Sequence, residues 1–192
     1  MQTIPIVKDE HGRSWDISSA LLQQRIIFLN GEINEQQAEA IISALLYLDA
    51  QPGDEPINLY INSPGGVVSD GLAIHDVMRR CSHKVYTYCL GQAASMGAVL
   101  LAAGDRRFAL ENAQVMIHQP SGGAVGKCED IQIAAASIAN ARTRLNRLLA
   151  RYTGRTEQEI NLDTGCDCFM DAEKAKEYGL VDEVLLEVDA GR

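Results

Sequence analysis

Basic charge is in deficit: 17 Lys and Arg face 26 Asp and Glu in 192 residues, a formal net charge of -9. A general nucleic-acid binder needs a basic surface to neutralise phosphates, so that class is not expected. Aromatics are scarce at 5%, which removes the stacking platforms that single strands require. Cysteine is sparse and unpatterned: Cys81, Cys89, Cys128, Cys166 and Cys168 are odd in number and keep no framework spacing. They fit free thiols in a reducing compartment, and a cytoplasmic location is expected. Met1–Lys8 has no basic region followed by an apolar one, so no secretory signal is expected. Long apolar runs are missing too. The uncharged stretch Val85–Gly104 is broken by Gly91, Gln92, Ser95 and Gly97. It reads as a buried strand, a turn and a buried helix rather than a membrane span.

What is present is ordinary globular usage, 46% hydrophobic and 22% charged. The length suits one domain over residues 1–192, and no linker marks a boundary. Strand-like and helix-like segments alternate. Arg25–Leu29, Ile57–Ile61, Val85–Leu90 and Gln114–His118 read as strands, and Val181–Val188 as ending in one. Asn34 with Gln37 reads as a capping box before a helix whose apolar face is Ala38, Ile41, Ile42, Leu45 and Leu48. Gly71–Arg80 and Met96–Ala103 are further helices. Glu129–Tyr152 is the longest, stopped by Gly154; Thr156 with Glu159 is a second capping box; Asp171 opens a last helix that Gly179 closes. The alternation predicts an α/β fold with parallel pairing.

Three segments at strand ends bear chemistry, the place where α/β sheets put their ligands. In Gly91-Gln-Ala-Ala-Ser-Met-Gly97, a serine follows a buried strand and opens a helix among residues with almost no side chain. Helix N-terminal N–H groups there favour developing negative charge. A plain N-cap serine is the commoner reading of such a sequence. In Met116-Ile-His-Gln-Pro120, a histidine leaves an apolar strand for a Pro/Gly loop, a fitting place for a base acting on Ser95. In Asp163-Thr-Gly-Cys-Asp-Cys-Phe-Met170, a carboxylate is available to orient that histidine, or else the segment is an Asx-type turn. Cys166 and Cys168 find no second cysteine pair or nearby histidine to complete a tetrahedral site, so no metal is expected. Asn62-Ser-Pro-Gly-Gly66 adds backbone donors: Gly66 with the N–H of Met96 makes an oxyanion hole, although Pro-Gly also fits an ordinary type II turn.

Taken together, these segments resemble the ClpP family, the proteolytic subunit of ATP-dependent Clp protease. The resemblance runs through Arg13-Ser-Trp-Asp-Ile17, Tyr60-Ile-Asn-Ser-Pro-Gly-Gly-Val67, Gly91-Gln-Ala-Ala-Ser-Met-Gly-Ala98, Val115-Met-Ile-His-Gln-Pro120 and Glu177-Tyr-Gly-Leu-Val-Asp182. It implies a serine endopeptidase with Ser95 as nucleophile, His118 as general base and acid, Asp167 as orienting carboxylate, and Gly66 and Met96 as oxyanion donors. It implies a crotonase-like spiral of β-β-α units with a projecting helix, here Glu129–Tyr152. Gln119–Lys127 becomes a strand and loop that meet an opposite ring and hold substrate, and residues 1–17 an axial loop region. The implied assembly is two stacked seven-membered rings. An AAA+ unfoldase of ClpX, ClpA or ClpC type docks outside at Tyr47, Asn58, Tyr60, Tyr88 and Leu90 and feeds unfolded protein inward. ATP is used by that partner, and this chain needs no cofactor.

The sequence departs from the family at Gly165 and Cys166, where an acidic residue and an arginine usually stand, and at Asn58, where an aromatic is usual. These changes imply altered ring–ring contact and weaker docking, or work beside a second ClpP-type subunit. Two rival readings are a weakly active or inert ring subunit and an acyl-CoA hydratase or isomerase on the same fold.

Overall fold

The computed structural model describes residues 5–8 and 12–186. In chain order the elements are β1 (Ile6–Lys8), β2 (Ser14–Asp16), α1 (Ile17–Gln23), β3 (Ile26–Asn30), α2 (Glu35–Asp49), β4 (Ile57–Ser63), α3 (Val68–Met78) and β5 (Val85–Ala94). They continue with α4 (Met96–Ala102), β6 (Arg106–Leu110), β7 (Gln114–Ile117), α5 (Cys128–Thr153), α6 (Glu157–Asp163), β8 (Cys168–Asp171), α7 (Ala172–Tyr178) and β9 (Glu183–Leu185). β1 and β2 pair antiparallel. The expected axial loop region falls on this pair and partly on residues 1–4 and 9–11, which lie outside the described residues. The other strands form one sheet, β3-β4-β5-β6-β9, all parallel, with β7 branching from β5 and β8 antiparallel to β7. This is the mixed α/β architecture, mostly parallel, that the alternation predicts.

Side chains alternate along the central strands. Ile57, Leu59, Ile61 and Ser63 of β4, with Val85, Thr87 and Cys89 of β5, turn inward; Asn58, Tyr60, Tyr86 and Tyr88 turn outward. α2 and α4 pack on the sheet, α3 packs on both of them, and each residue of α4 is buried. Small side chains let α4 lie within van der Waals reach of the sheet, where apolar contacts supply the main stabilisation.

The sheet divides at β5. Its pairing with β4 slips between Ile61↔Cys89 and Ser63↔Ala93, so β5 carries extra residues around Gly91 (φ +62). Before the bulge β5 pairs with β6; after it, Gln92–Ala94 pair with β7. A bulge bends and re-aims its strand. Here it brings the end of β5, the end of β7 and the Pro64–Val67 segment to one edge.

Several local expectations need correction. Asn34 does cap α2, accepting from the Gln37 N–H at 3.0 Å, but the Gln37 side chain donates to the Asn30 carbonyl at 2.7 Å instead of closing the box. α3 begins at Val68, three residues before the expected start. Asn62–Gly66 is not a turn: β4 runs to Ser63, and Gly66 forms a parallel bridge with Ile33. Gln119–Lys127 forms no strand among the described residues and runs irregularly up to α5. The terminal strand is β9, and residues 187–188 of its expected range lie outside the described residues. Other expectations stand. The Thr156–Glu159 box opens α6, and Gly154 and Gly179 end α5 and α7 in the left-handed conformation. α5 projects: its buried residues are Leu145, Asn146 and Leu149, all in its C-terminal part.

Candidate active site

Ser95 joins β5 directly to α4 at φ +55, ψ -120, a left-handed backbone that non-glycine residues rarely adopt. Such strain costs of order 1–3 kcal/mol and persists only when the surroundings fix it. They do: the Ser95 N–H donates to the Met116 carbonyl at 2.8 Å, tying the serine to β7. The side chain makes no cap bond to α4, so the N-cap reading does not apply. Instead Ser95 Oγ lies 2.9 Å from His118 Nε2.

Strand register explains the rest. β7 and β8 pair as Gln114↔Asp171 through Ile117↔Cys168. One step further along this ladder sets His118 opposite Asp167. Their side chains meet, Nδ1 to Oδ1 at 3.0 Å. The imidazole is 26% exposed and the carboxylate 59%, so the acid end of the chain of bonds is the wet end.

Asp163 and Asp171 flank Asp167, which the family resemblance selects because it falls just before the Phe closing this motif, and both have other work. Asp163 Oδ2 accepts from the Tyr178 hydroxyl at 2.7 Å, and the Arg155 guanidinium stacks 3.9 Å from the Tyr178 ring centroid. Burial first, then the Asp163 carboxylate, pushes the Tyr178 hydroxyl well above its ordinary value, so it stays a donor. Asp171 caps α7 by accepting from the Lys174 N–H, which holds its carboxyl below the usual range. Tyr178 and Arg155 escaped the sequence reading; an aromatic closing a helix just before glycine was the available signal. Gln119 escaped as well: its N–H donates to the Thr164 carbonyl at 2.9 Å. Asp167 is thus strung across a short span between Thr164, held there, and β8.

Gly65 and Gly66 approach other backbone too closely for a side chain. A Cβ on Gly65 would stand 2.6 Å from Ser95 Cβ, and one on Gly66 would overlap the Ile33 carbonyl. Ile33 takes the Gly65 carbonyl and the Val67 N–H in its bridge at 2.8 and 2.9 Å. In a parallel ladder this turns the intervening Gly66 N–H to the other side. The Met96 N–H is the first of α4 and has no carbonyl a turn earlier to meet. Val68, Met96, Val99, Ile117, Leu145 and Leu149 close an apolar pocket beside Ser95 and His118, with about 10 Å³ of free space.

On the outward sheet face, Phe28, Tyr60, Tyr88 and Phe108 stand in register across four strands, with centroids 5.5, 4.6 and 4.7 Å apart. The sequence reading found Tyr60 and Tyr88 but not Phe28, which is 48% exposed at the end of the row. Asn58 accepts from the Tyr88 hydroxyl at 3.2 Å, and Leu90 is half-buried beyond Tyr88. Tyr47 stands apart on α2, lining a cavity of about 340 Å³ with Leu22, Arg25 and Glu55.

Among the described residues, no helix is long and apolar enough to cross a membrane. The described cysteines are all free thiols. A family model described as Clp protease matches residues 8–188 of the 192, nearly the whole sequence, and the spiral of strands and helices is the ClpP/crotonase-like fold. The chain belongs to the Clp protease family, and at that level it is a ClpP-type serine peptidase, a hydrolase; the family implies, in general, a ring oligomer with an AAA+ partner.

Proposed function

We propose that this chain is the endopeptidase subunit that cuts unfolded proteins into short peptides inside a chamber of two stacked seven-membered rings, using Ser95, His118 and Asp167. The observation that carries the reading is the continuous run of hydrogen bonds, Ser95 Oγ to His118 Nε2 at 2.9 Å and His118 Nδ1 to Asp167 at 3.0 Å. Asp167 accepts a hydrogen bond from Nδ1–H, keeping that proton on Nδ1, and so leaves Nε2 as the acceptor facing the hydroxyl. Ser95 Oγ attacks the scissile carbonyl while Nε2 takes its proton. The Gly66 and Met96 N–H groups receive the developing oxyanion. Nε2 returns the proton to the leaving amine, and water then releases the acyl group by the same route.

Unfolded chains arrive from an AAA+ unfoldase of ClpX, ClpA or ClpC type, which spends the ATP; this chain uses no cofactor. The outward aromatic row supports a docking face there, because parallel sheets are ordinarily covered on both sides. Asn58 puts an amide beside this row, accepting from the Tyr88 hydroxyl, which favours weaker docking or a mixed ring with a second ClpP-type subunit. The free thiols support a reducing, cytoplasmic setting.

The test measures native mass and hydrolysis of an internally quenched peptide on one sample, with a fluorophosphonate to label the nucleophile. Stoichiometric labelling of Ser95 with parallel loss of turnover is expected. Binding of acyl-CoA thioesters with an unlabelled Ser95 would replace this reading by the hydratase one.

Gly66→Ala tests the oxyanion assignment. The added Cβ pushes the strand off Ile33, so kcat should fall by about 10²–10³-fold, the usual cost of one lost donor. Stoichiometric labelling combined with unchanged kcat would remove Gly66 from the site.

A further inference from the structure

A cavity of about 650 Å³ forms a groove between α3 and the projecting part of α5, where Val68 and Leu72 face Ile133, Ser137, Ala141 and Arg144. It is continuous with the site already described in two ways. Val68 lines both this groove and the small pocket beside Ser95. On α5, Ile133, Ser137 and Ala141 recur every fourth residue, and the same stripe runs on into Leu145 and Leu149, which close that pocket. From Ile133 to Arg144 the helix advances about 16 Å, the length of roughly five extended residues.

The floor is apolar or small, with a cation at the end nearest the serine. Arg144 is exposed and forms no ion pair among the described residues, unlike Arg147, which pairs with Glu157 at 3.5 Å. The acidic residues of the first turn of α5, Glu129 and Asp130, lie about four helical turns away. On α3, Asp70 accepts from the neighbouring Ser69 hydroxyl at 3.2 Å. In a chain of net charge -9, an unpaired guanidinium at the mouth of a groove joined to the catalytic pocket is a recognition element for a carboxylate.

We propose that the α3–α5 groove is an extended substrate subsite, and that Arg144 selects polypeptides carrying Asp or Glu within two residues of the cleaved bond. This rests on the peptidase reading above. The occupant is the substrate chain itself, its apolar side chains along the Ile133–Leu72 floor and one carboxylate on Arg144.

The experiment uses the assembled enzyme and internally quenched peptides that share one apolar residue at the cleaved bond. Positions on both sides are varied through Glu, Gln and Lys. At one or two positions wild type should cut the Glu peptide about two- to fivefold better, in kcat/KM, than the Gln peptide, the range of an exposed ion pair. The Lys peptide should be cut worse than the Gln one. About 0.5 M salt should flatten the series. Arg144→Gln should erase the Glu/Gln ratio, Arg144→Lys keep most of it, and Arg144→Glu invert it. The lysine variant keeps the inference decidable if the neutral one fails to assemble. A flat wild-type series, or an unchanged ratio in Arg144→Glu, overturns the subsite while leaving the peptidase standing, and the groove then falls to contact with a second copy. If wild type cleaves no peptide and Ser95 takes no label, the peptidase reading fails and the subsite falls with it.

Discussion

Replacing Ser95 by alanine is expected to lower peptide hydrolysis by at least about 10⁴-fold while the fold and the ring survive. The chemical loss is complete, since no other hydroxyl lies within reach of His118 Nε2 among its hydrogen-bond partners. The structural loss is small. Alanine keeps the Cβ, and the bond from the residue 95 N–H to the Met116 carbonyl is a backbone bond that survives. One partly exposed side-chain hydrogen bond is worth about 1 kcal/mol. The backbone at φ +55 makes a companion variant informative. Ser95→Gly is equally inactive but free of the left-handed strain, so its Tm should exceed that of Ser95→Ala. Residual turnover is read with a quenched peptide, and fluorophosphonate labelling by mass. Turnover of the alanine variant within tenfold of wild type would transfer the nucleophile role elsewhere.

How much of this was legible beforehand follows the range of the forces involved. β4 and β5 were readable because their inward and outward residues alternate and the pattern is local. α5 was readable from its apolar spacing and its glycine stop. His118 and Ser95 stood out because each leaves a buried strand among small or turn-forming residues. β8 was not readable. Its four residues, Cys168–Asp171, owe their extended shape to the ladder with β7, and the sequence around them is as good a turn as a strand. Without β8 the choice among Asp163, Asp167 and Asp171 rested on resemblance alone. β6 was hidden for a similar reason: it opens with Arg106 and Arg107, whose charges look like a loop. Arg107 is in fact anchored by Asp182 and by the carbonyls of Tyr152 and Gly179. Asn62–Gly66 misled because Pro-Gly favours a turn locally, whereas the bridge to Ile33 holds it extended. The aromatic row was only half visible, since a row across four strands is a fact of register and no single segment contains it.

The register also makes the second large effect specific. Asp167→Asn should reduce kcat by about 10⁴-fold with KM little changed. The carboxylate accepts a hydrogen bond from the Nδ1–H at 3.0 Å. An amide in its place donates to Nδ1 as readily as it accepts. The ring then carries its proton on Nε2, where it faces Ser95 Oγ with a hydrogen instead of a lone pair. Binding is untouched because the substrate meets the serine side of the imidazole. Stability should be nearly untouched as well, since the Asp167 side chain is 59% exposed and no buried charge is stranded. Asp163→Asn is the matched control. Asp163 faces the Tyr178 hydroxyl, not the imidazole, and an asparagine can still accept that bond. Its kcat should stay within about tenfold of wild type, its main cost being a modest loss of Tm. Both variants read with the same peptide, with the labelling rate at Ser95 as the second observable, separate the residue that sets the tautomer from the residue that holds the loop. If Asp163→Asn proves the more damaging of the two, the ladder position of residue 167 is not what orients the histidine.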